Sequence, residues 1–391
     1  MTASRSLDLK GAQVVVYAPH AEEPAHDGGS IRSWKFYEAL NQRVDCVFIS
    51  REHAVLGDRR QRIVPPVGGK RAAALRTVLA LSHYVKERHV SKASIQTFRE
   101  AAFYTGCVYA NFVWSSDLLN GRCPDYIDTH NSEARWFDNI AGTTRSPLVK
   151  LVCAISKRHS IESLRQLSPR VVLVHVSEED RRWYAALCPQ SRHVVVPNGC
   201  TIVQRALMPS FGGKRQLYFL GNLGLSMNED ALQHLGESGW QQLSTFCDLR
   251  VLGARPSERV RRLCARFGWK LFADLPSDEL DRVVADCEFA IMPFERSAGT
   301  KLKFYDALGR GMYVLATPAA ICGISAPPRS VAIAHVRDWA DVVRHTSRLG
   351  REAVIQAQKY ASEYSWDSVY SRFFDTDPGP LGVVWRECLG P

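Results

Sequence analysis

Short runs of wholly apolar residues alternate along the chain with stretches whose apolar positions recur every three or four residues. Residues 14–18 open the series as a strand, and a loop carrying His26, Asp27, Gly28 and Gly29 follows. A helix pattern then runs from Ser30 through Trp34, Phe36, Tyr37 and Leu40. Further strand patterns lie at 44–49, 107–112, 126–129, 171–176 and 194–196. Residues 71–88 read as one amphipathic helix, with Leu75, Val78, Leu79, Ser82 and Val85 near one face. A polar, glycine-containing stretch runs from Pro197 to Gly213, and the alternation then restarts. Strands are predicted at 216–220, 249–252, 270–272, 289–292 and 313–316, with helices near 229–235, over 257–267 and 277–286, and after Gly299. Buried-type strands alternating with helices imply parallel sheets covered on both faces. The pattern therefore predicts an α/β protein of two doubly wound domains in tandem, joined near residues 198–213.

Composition agrees with that picture and removes others. At 391 residues with 46% hydrophobic and 23% charged side chains, the chain can build two sizeable cores. No run approaches the roughly 18 apolar residues of a membrane span, and residues 1–10 lack the apolar core of a secretory signal. Eleven cysteines without a CxxC pair predict reduced thiols and a cytoplasmic setting rather than a disulfide framework or a zinc knuckle. The net charge of +10 is uneven: residues 51–99 hold eleven basic groups against Glu52, Asp58 and Glu87. That face suits an anionic surface, and it also suits plain solvation.

The most informative segment runs from Phe289 to Ala316. A buried strand ends at Pro293, a turn of Ser297, Ala298, Gly299 and Thr300 follows, and a helix begins. Free amides at a helix start bind phosphate, and Gly299 lets a ligand approach the backbone. Lys301 and Lys303 add full positive charge, and the Asp306 carboxylate can accept from the vicinal hydroxyls of a ribose. A nucleoside diphosphate sugar contains each of those groups. A plain strand–turn–helix with solvated lysines and a capping Ser297 fits the same pattern.

The segment resembles the nucleotide-sugar signature of GT-B glycosyltransferases, particularly the large retaining family numbered four. In that family the helix ends in Glu-Ala-x-x-x-Gly before a valine-rich strand. This chain reads Asp306-Ala307-Leu308-Gly309-Arg310-Gly311-Met312-Tyr313-Val314, with Asp in place of Glu. Val196-Pro197-Asn198-Gly199 resembles the family's interdomain sequence, and Phe219-Leu220-Gly221-Asn222 with Asn228-Glu229-Asp230-Ala231 its first C-domain strand, loop and helix. Val251-Leu252-Gly253 matches the second strand, Gly28-Gly29 with Arg32 the N-terminal glycine loop in the cleft, and Tyr364-Ser365-Trp366 a C-terminal aromatic-Ser-Trp sequence.

The resemblance implies two Rossmann-like domains facing a cleft. Residues 1–202 would bind acceptor, residues 203–360 the nucleotide sugar, and 361–391 would form a helix crossing back to the first domain and a tail. It implies a retaining, metal-independent transferase with no cofactor, which moves a sugar from a nucleoside diphosphate donor, a UDP-sugar, to an acceptor hydroxyl. His130, after the strand pattern 126–129, would face the donor sugar, and a neutral imidazole there can hydrogen-bond a hydroxyl. Capping of that strand is the simpler role. Two departures stand out. The family's first acidic residue falls on Ala298, with Glu295 three residues earlier. The Arg and Lys that grip the diphosphate in many members fall in Gly221–Ser226, where Asn222 is present and no cation is. The phosphates would then meet helix amides with Lys301 or Lys303, or Arg255 in the next loop.

Asp375-Thr376-Asp377 has metal-binding spacing but lies in a Pro/Gly-rich tail and reads as a turn. No GxGxxG follows the first strand, and no GxSxG, HExxH or Walker A sequence occurs. A nucleotide-sugar 2-epimerase on the same fold and a basic, non-enzymatic binding module are the alternatives. Expected partners are the donor and an unidentified acceptor, with peripheral contact at an anionic membrane and no nucleic acid.

Overall fold

The computed structural model describes residues 11–21, 27–50, 61–63, 69–204, 213–296, 302–324, 326–347 and 350–388. The chain divides into two compact units, one of residues 1–197 with 369–391 and one of residues 198–368.

In the first unit seven strands form one sheet: β1 (Val14–Ala18), β2 (Cys46–Ser50), β3 (Gln61–Ile63), β4 (Cys107–Asn111), β5 (Tyr126–Asp128), β6 (Val172–His175) and β7 (Arg192–Val195). Their order is β3-β2-β1-β4-β5-β6-β7 and every pair is parallel. β1, β2 and β4 are buried along their whole length, which is why they read as unbroken apolar runs. The helices are α1 (Gly28–Asn41), α2 (Lys70–Ala80), α3 (Tyr84–His89), α4 (Lys92–Tyr104), α5 (Glu133–Thr143), α6 (Pro147–Arg165) and α7 (Glu178–Leu187). Asp27, Ser91, Ser132, Ser146 and Ser177 cap five of them by accepting from a backbone amide of the first turn.

The helix predicted over 71–88 is two helices. Leu81 takes left-handed angles (φ 48°) and closes α2 on Thr77 O, and His83 then caps α3 through Nδ1. The apolar period continues through this break, so periodicity alone could not show it.

In the second unit the strands are β8 (Arg215–Leu220), β9 (Cys247–Gly253), β10 (Lys270–Ala273), β11 (Phe289–Met292), β12 (Tyr313–Ala316) and β13 (Val331–Ile333). They are all parallel, in the order β10-β9-β8-β11-β12-β13. The helices are α8 (Ser226–Ser238), α9 (Trp240–Leu243), α10 (Glu258–Phe267), α11 (Ser277–Val284), α12 (Leu302–Gly309), α13 (Trp339–His345) and α14 (Arg351–Ser362). Leu217, Phe219, Leu249, Val251, Ile291, Val314 and Leu315 anchor one core with Trp240, Trp269 and Trp339.

Two helices end the chain, α15 (Trp366–Thr376) and α16 (Pro380–Glu387). Asp375 and Thr376 form the last turn of α15 rather than the turn predicted for them. Asp377 is buried: it accepts from Tyr126 Oη, from Arg192 and from the amide of Gly382 at 3.1 Å. Trp385 packs on Phe374 with ring centroids 4.6 Å apart. The end of the chain is thereby built into the first unit.

Candidate functional site

In a doubly wound sheet, ligands bind beyond the carboxyl ends of the strands, where the strand order reverses. In the first unit that point lies between β1 and β4. Four side chains converge there: His20 after β1, Asn111 closing β4, and Asp128 and His130 at the end of β5. The His20 ring meets that of His130 at 5.2 Å and that of Phe112 at 4.7 Å. His130 Nε2 bonds the side-chain oxygen of Asn111.

His130 has φ 54°, a left-handed conformation that costs a non-glycine residue on the order of 1–2 kcal/mol. Its amide donates to Asp128 Oδ1 at 3.1 Å, which helps hold that conformation. Asp128 Oδ2 accepts from Arg32 Nε at 2.8 Å and from Tyr109 Oη at 2.7 Å. Burial works to raise the Asp128 carboxyl, yet Arg32, His130 and Tyr109 together hold it below the usual carboxylate range. Burial lowers the His130 imidazole to about 3, so the ring is neutral near pH 7.

Gly28 and Gly29 open α1. Asp27 caps it, accepting from the Ser30 amide at 2.9 Å and from Ser30 Oγ at 3.0 Å. A Cβ at Gly29 would stand 3.3 Å from both Asp27 Oδ1 and His20 Nε2, so a side chain there would press on both. His26 lies outside the described residues.

The second unit reverses its strand order between β8 and β11. Lys303, in the first turn of α12, donates to Asn228 Oδ1 at 3.0 Å, and its Nζ lies 4.6 Å from the ring centroids of Phe219 and Phe294. A Cβ at Gly221 would come within 3.0 Å of that ammonium and of Asn228 Nδ2. The missing side chain at 221 makes the lysine's place. Asn228 Nδ2 in turn donates to Asn222 O at 2.8 Å, and Asn222 Oδ1 accepts from the Gly224 amide at 3.1 Å. Arg255 reaches the same edge with φ 54°, and its amide donates to Asp274 Oδ1 at 2.8 Å.

One turn along α12, Asp306 Oδ2 accepts from Arg310 Nε at 3.0 Å, while Arg310 also bonds Asp281. Glu295 is exposed and pairs with His234 at 3.4 Å. Gly299, Thr300 and Lys301 lie outside the described residues. Two distant motifs meet within this unit: the amide of Cys200, beside Gly199, donates to Tyr364 O at 2.8 Å, and the amide of Trp366 donates to Cys200 O at 3.2 Å. Among the described residues, no group of three or more His, Cys, Asp or Glu side chains could hold a metal ion.

No family model and no curated protein matches the chain in sequence. Solved structures do match, end to end. WaaG, a glycosyltransferase involved in lipopolysaccharide biosynthesis, superposes with a TM-score of 0.58 at 11% identity, covering 96% of this chain and 98% of its own. Anabaena HepE in complex with UDP-glucose gives 0.65 at 10% identity, over 93% and 98%. The α,α-trehalose 6-phosphate synthase of Burkholderia multivorans gives 0.60 at 10% identity, over 96% and 99%. The chain has the GT-B fold. Its two Rossmann-like units are those of glycosyltransferase structures, in agreement with the predicted fold class.

On this GT-B chain, sequence reasoning singled out neither His20 nor Asn111, and it gave Asn228 no role beyond a motif. Each is a polar residue at the end of an apolar strand or the start of a helix. That signal is present in the sequence, but the partner of each residue is set by strand order.

Proposed function

We propose that the chain is a retaining glycosyltransferase that moves a sugar from a UDP-sugar to an acceptor hydroxyl without a metal ion. The observation that carries this reading is the Lys303 ammonium, held by Asn228 over Phe219 and Phe294 at the switch point of the second sheet, with Asp306 one turn further along α12. A fixed cation offers the charge a diphosphate needs, and the carboxylate offers an acceptor to ribose hydroxyls. HepE, which shares the fold, is solved with UDP-glucose, with UDP and glucose, and with UDP.

In the reaction, the bond between C1 of the sugar and the diphosphate oxygen breaks with its electron pair, and Lys303 stabilises the leaving charge. The acceptor oxygen bonds C1 on the same face and gives its proton to the departing phosphate oxygen. His130, neutral near pH 7, accepts a hydrogen bond from a sugar hydroxyl. Residues 1–202 serve the acceptor and 203–360 the donor.

The first unit also offers a surface for a membrane-borne acceptor. Leu75, Leu79 and Leu81 are 58%, 74% and 71% exposed, Lys70 and Arg71 stand at the start of the same helix, and no carboxylate occurs between Gly69 and Lys86. Exposed leucines beside cations suit an anionic lipid surface.

Thermal stabilisation by a panel of nucleotide sugars, followed by NMR of the product's anomeric centre, tests the donor and the stereochemistry. Stabilisation by UDP-sugars and a retained anomer are expected. Loss of turnover in EDTA, restored by manganese, would refute the metal-free step.

A further inference from the structure

The outermost strand of the first sheet, β7, borders a cavity of about 320 Å³. Residues 192–197 form one wall, and α15 with Asp377 and Pro378 forms the other. All of these residues belong to the first unit, and β4, β5 and β6 separate them from the reversal between β1 and β4. The volume falls within the range of small-molecule sites. Along β7 the amide of Val196 donates back to His175 O on β6 at 2.8 Å. Peptide groups alternate in direction along a strand, so His193 and Val195 turn their amides and carbonyls toward the outer edge. By the same alternation Arg192, Val194 and Val196 share one face, on which Arg192 meets Asp377.

The lining carries two guanidinium groups, Arg192 and Arg372, against one carboxylate, Asp377. That carboxylate is already engaged by Tyr126 Oη and the Gly382 amide as well as by Arg192 Nη2. It occupies one edge of a fork with five donors. Arg192 Nε has no hydrogen-bond partner among the described residues, and the side chain as a whole is 36% exposed. Arg372 stands exposed on α15. His193 brings no charge near pH 7: Nε2 donates to Cys188 O at 2.9 Å, Nδ1 faces His175 Nε2 at 2.9 Å, and burial holds the ring below its usual range. The rest of the lining is largely apolar, with Val196, Val369 and Phe373 buried. One excess positive charge thus stands over an apolar floor.

We propose that this cavity binds a small molecule made of a phosphate or carboxylate group on a compact apolar body, with the anion against Arg192 and Arg372 and the body against Val194, Val196, Val369 and Phe373. Charge-assisted bonds from a guanidinium favour the anion. A sugar phosphate would bury hydroxyls against valines without partners, and a neutral ring would leave the guanidinium groups to water. None of these residues serves the donor reading above, so the two proposals stand or fall separately.

The test titrates the full chain, labelled with ¹³C at its valine methyls, with 1-naphthyl phosphate, 1-naphthoate, 1-naphthol and inorganic phosphate. The Val194, Val196 and Val369 methyl signals should shift with a naphthyl anion, and the tighter of the two anions tells phosphate from carboxylate. That anion should bind about tenfold or more tightly than 1-naphthol or inorganic phosphate. Arg372→Gln should weaken it severalfold, and Val194→Glu, which sets a carboxylate beside Arg192, should abolish it. Equal binding of 1-naphthol overturns the anionic class, and equal binding of inorganic phosphate overturns the apolar body. Shifts confined to other valines, or none with either anion at millimolar concentration, overturn the site. If Val194→Glu does not fold, the wild-type shifts and the exposed Arg372→Gln decide: unchanged affinity in Arg372→Gln overturns the placing of the anion.

Discussion

Asp306 is shared between a structural and a proposed binding role, and its two oxygens separate them. Oδ2 is engaged by Arg310, which keeps Asp281 as a second carboxylate, so removing the Asp306 charge leaves the cation paired. Asp306→Asn should therefore change the melting temperature little and weaken donor binding by about tenfold or more, as titration calorimetry would show. An unchanged donor Kd would remove Asp306 from the site. A second residue, Glu133, gives a stability prediction. Burial raises its carboxyl to about 8, and the nearby His83, with Nε2 at 3.6 Å, is itself held well below its usual range by burial, His159 and Lys86. The folded protein thus favours protonated Glu133. That contribution is complete below the ordinary carboxyl range and is lost as pH rises through about 8, a change on the order of a few kcal/mol. Glu133→Gln, uncharged at every pH, should flatten the decline in denaturant midpoint between mildly acidic and alkaline solution; an unaltered slope would absolve Glu133. At this scale, Lys303 and His130 could be named as candidates from the sequence because a cation after a glycine turn and a histidine after a strand stand out locally. Asn111, His20 and Asn228 were not, because each gains its meaning from a residue dozens of positions away.

Strands buried on both faces announce themselves as apolar runs, so β1, β11 and β12 match the predicted spans residue for residue. The short edge strands β3 and β13, three residues each, were missed; at a sheet's rim one neighbour suffices and little apolar sequence is required. The break between α2 and α3 was missed for a different reason, since Leu81 spends backbone strain to turn the chain. Leu81→Gly should relieve that strain and stabilise the protein by about 1 kcal/mol in chemical denaturation, because the 71% exposed side chain contributes little packing. The same change removes one exposed leucine from the surface assigned to lipid. Leu75→Ser with Leu79→Ser should reduce co-sedimentation with vesicles rich in phosphatidylglycerol. Lys70→Gln with Arg71→Gln should lower it in a way that high salt masks. Wild-type protein that ignores such vesicles at low salt would return this helix to plain solvation.

For the whole molecule, alternation of strand and helix was enough to read two doubly wound units, because a parallel sheet demands a crossover between every pair of strands. Eleven cysteines and no disulfide lead to a simple expectation: reductant should leave the melting temperature where it was. A fall would reveal a bond formed in the purified protein. The return of residues 361–391 to the first domain was expected from the family resemblance alone, since nothing local in Asp377 says that Tyr126 and Arg192 are waiting for it. That arrangement has a consequence for how the protein is made. The second unit is one continuous stretch, residues 198–368, and can close as soon as it leaves the ribosome. The first has all seven strands early but must wait nearly two hundred residues for α16, on the order of ten to forty seconds at ordinary translation rates. During that interval Tyr126 lacks the Asp377 carboxylate it bonds in the finished fold, so of the two units the one begun first is completed last.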